Sequence, residues 1–372
     1  MLKNIPFYLI FPFFFIYNMG LLYEIYNPIQ IGYYSLIYPV VAILIFTKIF
    51  KKNKFKTVKT DYLFLTYIIY LLINYLINAP FIDYVKIIYY LQIIVIQVLI
   101  YLSIRHFNFS KTNIKVIKLL FWVMIFSIVL KLQDSLFIYF DESKVISTYQ
   151  GLSRSIVLTS IIIIYSLKSR VQFLYFFVTL FVLFILGSRS EFALFLIALF
   201  IVFMFNKKAT FIKILSISLS IILLILMYNP ETVENLNETS RIFSLLDPQN
   251  VYASEGRGLL TDNAISTISN NVFFGDISNV DIGGSAHNIL SAWEIHGFFF
   301  IILILAISLI NLASRFLDFR NLTSNFYAKI AFFYSIVWFV GMITSYWYGN
   351  EMFAVALGFS AKLEQFKSYY NE

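Results

Sequence analysis

Long continuous apolar runs recur along this chain at the length a helix needs to cross a bilayer, about 20 residues. They fall at 5–22, 31–50, 62–79, 87–104, 116–133, 152–167, 171–187, 191–206, 211–228, 288–312 and 327–347. A weaker twelfth, 351–363, is short and holds Glu351 and Lys362. The runs at 152–167 and 191–206 are also short, so they need flanking residues or local bilayer thinning to cross. In hydrocarbon every backbone N–H and C=O must be satisfied internally, and uninterrupted runs without alternation fit helices rather than a barrel. The expected fold is therefore all-α, a polytopic transmembrane helix bundle of 11–12 spans.

Composition excludes the soluble alternative. Of 372 residues, 60% are hydrophobic and only 13% charged, with a mean hydropathy of +0.80. A soluble domain of this size has too little interior to hide so many Phe, Ile, Leu and Tyr. With no cysteine, disulfides, thiolate catalysis and Cys metal sites are all excluded. The net charge of +8 reads as basic cytoplasmic loops, so no nucleic-acid partner is expected. The first apolar run lacks a small-residue cleavage site and is expected to stay as a helix. With the N-terminus inside and twelve spans, 21 of the 28 Lys and Arg fall on the cytoplasmic side. The positive-inside bias favours that orientation, with both termini cytoplasmic. The organisation follows: nine spans over 1–228, an extracytoplasmic loop over 229–287, and the last two or three spans over 288–372.

The outer loop is where the chain becomes polar. Its acids include Glu231, Glu234 and Glu238, against two basic residues, Arg241 and Arg257. Exposed ion pairs would account for those arginines, and such pairs contribute little. Arg189 and Glu191 stand in Gly187-Ser188-Arg189-Ser190-Glu191 between two apolar runs, at the outer interface. A polar turn would explain them, but an ionisable residue at membrane depth is costly and is a functional candidate. His287 and Asn288 close the loop, and Glu294 follows seven residues later, a spacing that puts His287 and Glu294 on one helical face. His106 reads as a solvated loop residue, and His296 lies inside the membrane segment beside Gly297. No two histidines have metal-ligand spacing, so no metal is expected. Arginines present a fork of donors suited to phosphate oxygens, and an imidazole exchanges protons near neutrality. Together they point to an anionic ligand such as a lipid-linked pyrophosphate. No Gly-rich phosphate loop occurs, so nucleotide is not the phosphate donor.

These residues resemble the O-antigen ligase and O-antigen polymerase (Wzy-type) superfamily of bacterial polysaccharide assembly. The matching pieces are Gly187-Ser188-Arg189-Ser190, Gly256-Arg257, Asn271-Val272-Phe273-Phe274-Gly275, and His287-Asn288 with Glu294 and Gly297. The loop segment departs from the family's usual Asn-Pro-x-x-Gly-x-Gly by lacking the Pro and the second Gly. The resemblance implies a polymerase in the bacterial inner membrane, a glycosyltransferase moving a glycan from polyprenyl diphosphate onto the next lipid-linked repeat unit. It implies His287 and Glu294 as catalytic, Arg189, Arg241 and Arg257 as pyrophosphate-binding, and Glu191 and Asn288 as supporting residues. The implied partners are a polyprenyl-diphosphate-linked oligosaccharide and membrane lipid, together with a flippase and a chain-length regulator; no cofactor is implied. The alternatives are a ligase of the same superfamily and a flippase for lipid-linked oligosaccharides. A transporter would gather its polar residues at mid-membrane in two related halves, whereas here they gather at the outer face.

Overall fold

The structure is a computed structural model that describes residues 56–131, 148–167, 171–186, 188–205, 257–278, 280–281, 284–322 and 324–370, with a few isolated positions before residue 50. The described residues are all-helical, and none forms a strand. In chain order the helices are α1 (Lys59–Asn78), α2 (Tyr84–His106), α3 (Lys111–Lys131), α4 (Thr148–Ser166), α5 (Val171–Ile185) and α6 (Arg189–Phe205). After the long polar segment come α7 (Arg257–Asn270), α8 (Leu290–His296), α9 (Phe298–Asn321), α10 (Phe326–Thr344) and α11 (Met352–Tyr370). Five of these stretches are long and apolar enough to cross a membrane: α1 with its following 3₁₀ turn, α2, α3, α9 and α10. At 1.5 Å per residue, the 20 residues of α1 reach about 30 Å, the thickness of the hydrocarbon core. This is a multi-pass membrane protein. The runs expected at 5–22, 31–50 and 211–228 lie largely or wholly outside the described residues.

The helices form two compact units. The first holds α1, α2 and α7–α11, so the early helices α1 and α2 group with the C-terminal ones rather than with their neighbours in sequence. The reason is α11, which packs against α10, α2, α1 and α9. Its surface is built from small residues: Ala354, Ala356, Gly358, Ser360 and Ala361, all buried. Small side chains let helix backbones approach closely where lipid offers no hydrophobic drive to associate. A Cβ at Gly358 would stand 3.1 Å from Ile104 Cβ and 3.2 Å from the Tyr101 carbonyl, which measures how close α11 comes to α2. The outward faces are apolar. Along α1, Leu65, Ile69, Leu72, Ile73, Leu76 and Ile77 are exposed, whereas Tyr67, Leu71 and Tyr75 are buried. An exposed apolar stripe with polar atoms turned inward is what a lipid solvent selects.

The second unit holds α3–α6. Here α4 packs against α3, α5 and α6, and its residues 152–164 are buried on almost every side. Burial on almost every side makes α4 the interior helix of this unit. Aromatic contacts fix its neighbours: Phe176 stacks on Phe195 at 5.9 Å, and Trp122 Nε1 donates to Tyr175 Oη at 3.2 Å.

A candidate site at the broken helix

The span expected as continuous over 288–312 is broken. α8 is a seven-residue helix ending at His296, and α9 begins at Phe298. Between them Gly297 has φ +83°, a left-handed conformation that only glycine adopts without strain. The loop after α7 crosses this joint, and its own Gly275 also has positive φ, +68°. A Cβ on Gly275 would fall 2.6 Å from the Gly297 nitrogen, and one on Gly297 would fall far inside contact with the Phe273 carbonyl. The crossing is pinned by hydrogen bonds. Phe298 N–H donates to the Val272 carbonyl at 3.0 Å, Trp293 Nε1 to the same carbonyl at 2.8 Å, and Asp276 N–H to the Glu294 carbonyl at 2.7 Å. Two sequence-distant pieces, Asn271–Gly275 and Glu294–Gly297, are thus one structural feature. Lys86 at the start of α2 anchors the loop further, its Nζ donating to the Ser278 carbonyl at 2.7 Å.

Glu294 is buried, at 2% exposure. Its Oε2 accepts from Ala286 N–H at 3.1 Å, and burial raises the carboxyl above its ordinary value while that hydrogen bond partly opposes the rise. His287 is exposed and precedes α8, so the expected shared helical face with Glu294 does not form. The chain instead folds back, and Glu294 reaches the backbone one residue before His287. That hydrogen bond ties α8 to the segment just before it. Asn288 satisfies the helix start: its Oδ1 accepts from Leu290 N–H at 2.9 Å, and its carbonyl from Ser291 Oγ at 2.8 Å. α7, which begins at Arg257, packs on α8.

Beneath this joint lie polar residues that were not among the site candidates of the sequence. His296 is fully buried, its Nδ1 2.8 Å from Asn74 Oδ1, while its Nε2 has no hydrogen-bond partner among the described residues. Its ring sits against Phe300 at 4.6 Å and Tyr348 at 4.5 Å. Tyr348 Oη is 3.2 Å from Tyr75 Oη, and Tyr348 N–H donates to Ser291 Oγ at 3.1 Å. Gln97 on α2 donates to the carbonyls of Gly349 and Asn350 at 2.8 and 2.9 Å, holding the non-helical turn between α10 and α11. The available signal was the rarity of Asn74 and Gln97 within apolar runs, where polar residues face the bundle interior.

Glu191 and Arg189 belong to the second unit. Glu191 is buried and accepts from Arg154 Nε at 3.2 Å, Ser188 Oγ at 2.6 Å and Ser190 Oγ at 2.8 Å. Its partner Arg154 was not among the sequence candidates. Arg189 opens α6 as Arg257 opens α7. The start of a helix offers free N–H groups and partial positive charge, which attract anions. Arg241 lies outside the described residues. Among the described residues no three His, Asp or Glu side chains converge to hold a metal ion. No family model, no curated protein and no solved structure matches this chain.

Proposed function

We propose that this protein is a membrane glycosyltransferase, a polysaccharide polymerase that takes its donor glycan from polyprenyl diphosphate at the outer face of a bacterial inner membrane. The observation that carries this reading is the joint at Gly297. It gathers the Asn271–Gly275 loop, the helix bearing Glu294 and the exposed His287 at one end of a set of membrane-length apolar helices. A soluble headgroup and a greasy carrier chain would meet at such a place. In the reaction, the acceptor hydroxyl of a lipid-linked repeat unit gives its proton to His287. Its oxygen bonds to the donor's anomeric carbon as the bond from that carbon to the pyrophosphate oxygen breaks. Arg257 meets the negative charge that develops on the leaving lipid pyrophosphate. On the resemblance alone, Arg189 and Arg241 are also proposed to bind pyrophosphate. Glu294 holds the 286–288 backbone so that His287 faces the acceptor. Twelve spans with both termini cytoplasmic, favoured by the charge distribution, put this end of the molecule outside.

The test is the polysaccharide length distribution of cells carrying Arg257→Ala or His287→Ala, with membrane insertion confirmed by immunoblot. Collapse of the ladder to single repeat units is expected, and normal-length polymer from inserted variants would overturn the assignment. Arg257→Lys should lose most activity, because an ammonium cannot reproduce a bidentate contact to phosphate oxygens. Gene deletion separates the ligase alternative: lipid-linked polymer left unattached would indicate a ligase, and single-repeat products a polymerase.

A further inference from the structure

At the other end of the first unit, a cavity of about 560 Å³ opens where the start of α1 meets the ends of α9 and α11. Asn74, which holds His296, stands fifteen residues along α1 from Lys59. At 1.5 Å per residue the cavity is therefore about 22 Å along the helix from the joint at Gly297. It is a separate place, toward the opposite end of α1.

The lining carries both signs of charge, but only one sign faces outward. Glu364 spends its oxygens inward, Oε1 on Arg315 Nη2 at 2.7 Å and Oε2 on Thr60 N–H at 3.0 Å. Asp318 forms ion pairs with Arg315 at 3.3 Å and with Lys367 at 2.5 Å. The groups left over are donors. Lys59 is exposed and forms no ion pair among the described residues. Lys367 is half-buried, with 40% of its side chain still reachable. The Arg315 side chain is only 4% exposed, yet its Nε has no hydrogen-bond partner among the described residues. The lip is apolar: Tyr62 and Leu317, both cavity-lining, belong to the exposed faces of α1 and α9. The sequence leading into α1 adds Lys48, Lys51, Lys52, Lys54 and Lys56, a basic run beside a membrane helix.

We propose that this cavity binds the phosphate headgroup of an anionic membrane lipid. The exposed Lys59, the reachable part of Lys367 and the unpartnered Arg315 Nε suit phosphate oxygens, the apolar lip continues into acyl chains, and the basic run raises the local concentration of anionic lipid. A free phosphate ion would use the donors but gain nothing from Tyr62 and Leu317. The proposal does not depend on the glycosyltransferase reading, and its test involves no activity measurement.

The full-length protein, purified in detergent, is titrated with short-chain phosphatidylglycerol, with phosphatidylcholine of the same chains and with inorganic phosphate, following Tm. Phosphatidylglycerol alone is expected to raise Tm. In Lys59→Gln its apparent affinity should fall about fivefold, the contribution of one juxtamembrane cation. Arg320→Gln, an exposed cation of α9 outside the cavity, should leave it unchanged. The proposal is overturned if phosphatidylglycerol has no effect, if inorganic phosphate stabilises as well as lipid, or if Lys59→Gln matches the wild type. Equal weakening by Arg320→Gln would reduce the effect to general surface charge and overturn it too.

Discussion

A carboxyl held above its ordinary pKa makes stability depend on pH in a definite direction. Burial favours the protonated form of Glu294 over the ordinary 4.5, so between those two values the folded protein binds more protons than the unfolded chain. Stability from this group is fully present below 4.5 and is lost as pH rises through the raised value. Tm measured across mildly acidic pH should therefore decline more steeply in the wild type than in Glu294→Gln, which keeps an acceptor for Ala286 N–H without a charge. Parallel profiles would show that Glu294 contributes nothing to the pH dependence. Gly297 supplies the second residue-scale prediction. Gly297→Ala meets both left-handed backbone strain and the Phe273 carbonyl, so a loss of at least about 2 kcal/mol is expected in a denaturation series. Gly284→Ala, whose Cβ would rest 3.4 Å from Asp281 Cβ, should stay within about 0.5 kcal/mol of wild type.

Each unit encloses one helix among the others, and in both cases it is a helix whose apolar run looked weak as a span. α11 covers the doubtful twelfth run, and α4 the short run at 152–167. Hydropathy reports how well a helix suits lipid, whereas these two face mainly protein, where small and hydroxyl side chains serve better than Leu and Phe. Ser153 and Ser160 on α4 and Ser360 on α11 are fully buried, and Ser160 and Ser360 each bond a carbonyl of the preceding turn. Gly358→Leu should force α11 away from Ile104 and Tyr101 and destabilise by about 2 kcal/mol. Gln97→Leu keeps volume but leaves the Gly349 and Asn350 carbonyls without their side-chain donor, at a cost of about 2 kcal/mol. Thermal denaturation in detergent reads both, and a wild-type Tm for either would contradict the packing described.

For the molecule as a whole, the orientation deduced from charge can be read directly, because the natural chain contains no cysteine. Thr57→Cys, before α1, and Asp281→Cys, whose side chain is 92% exposed, lie at opposite ends of the first unit. In intact spheroplasts a membrane-impermeant maleimide should label Asp281→Cys and spare Thr57→Cys until the membrane is permeabilised. The reverse pattern would invert the topology and move the candidate site to the cytoplasm.

That this is a helical multi-pass membrane protein, and where most described helices run, can be read from local sequence alone. Those properties are local: each span must satisfy its own backbone and present apolar surface over about 30 Å, so its own residues announce it. Even α1, α2 and α10 are recovered to within a turn. Tertiary structure decided which helices are enclosed, which segments meet, and what the polar residues touch. Nothing in the spacing of His287 and Glu294 reveals that a left-handed glycine ends α8 at His296, or that Glu294 turns back to Ala286. Nor does any local pattern tell that Asn74 and His296, 222 residues apart, share a hydrogen bond. Such contacts depend on the close approach of helices distant in sequence, and only the packed chain fixes that.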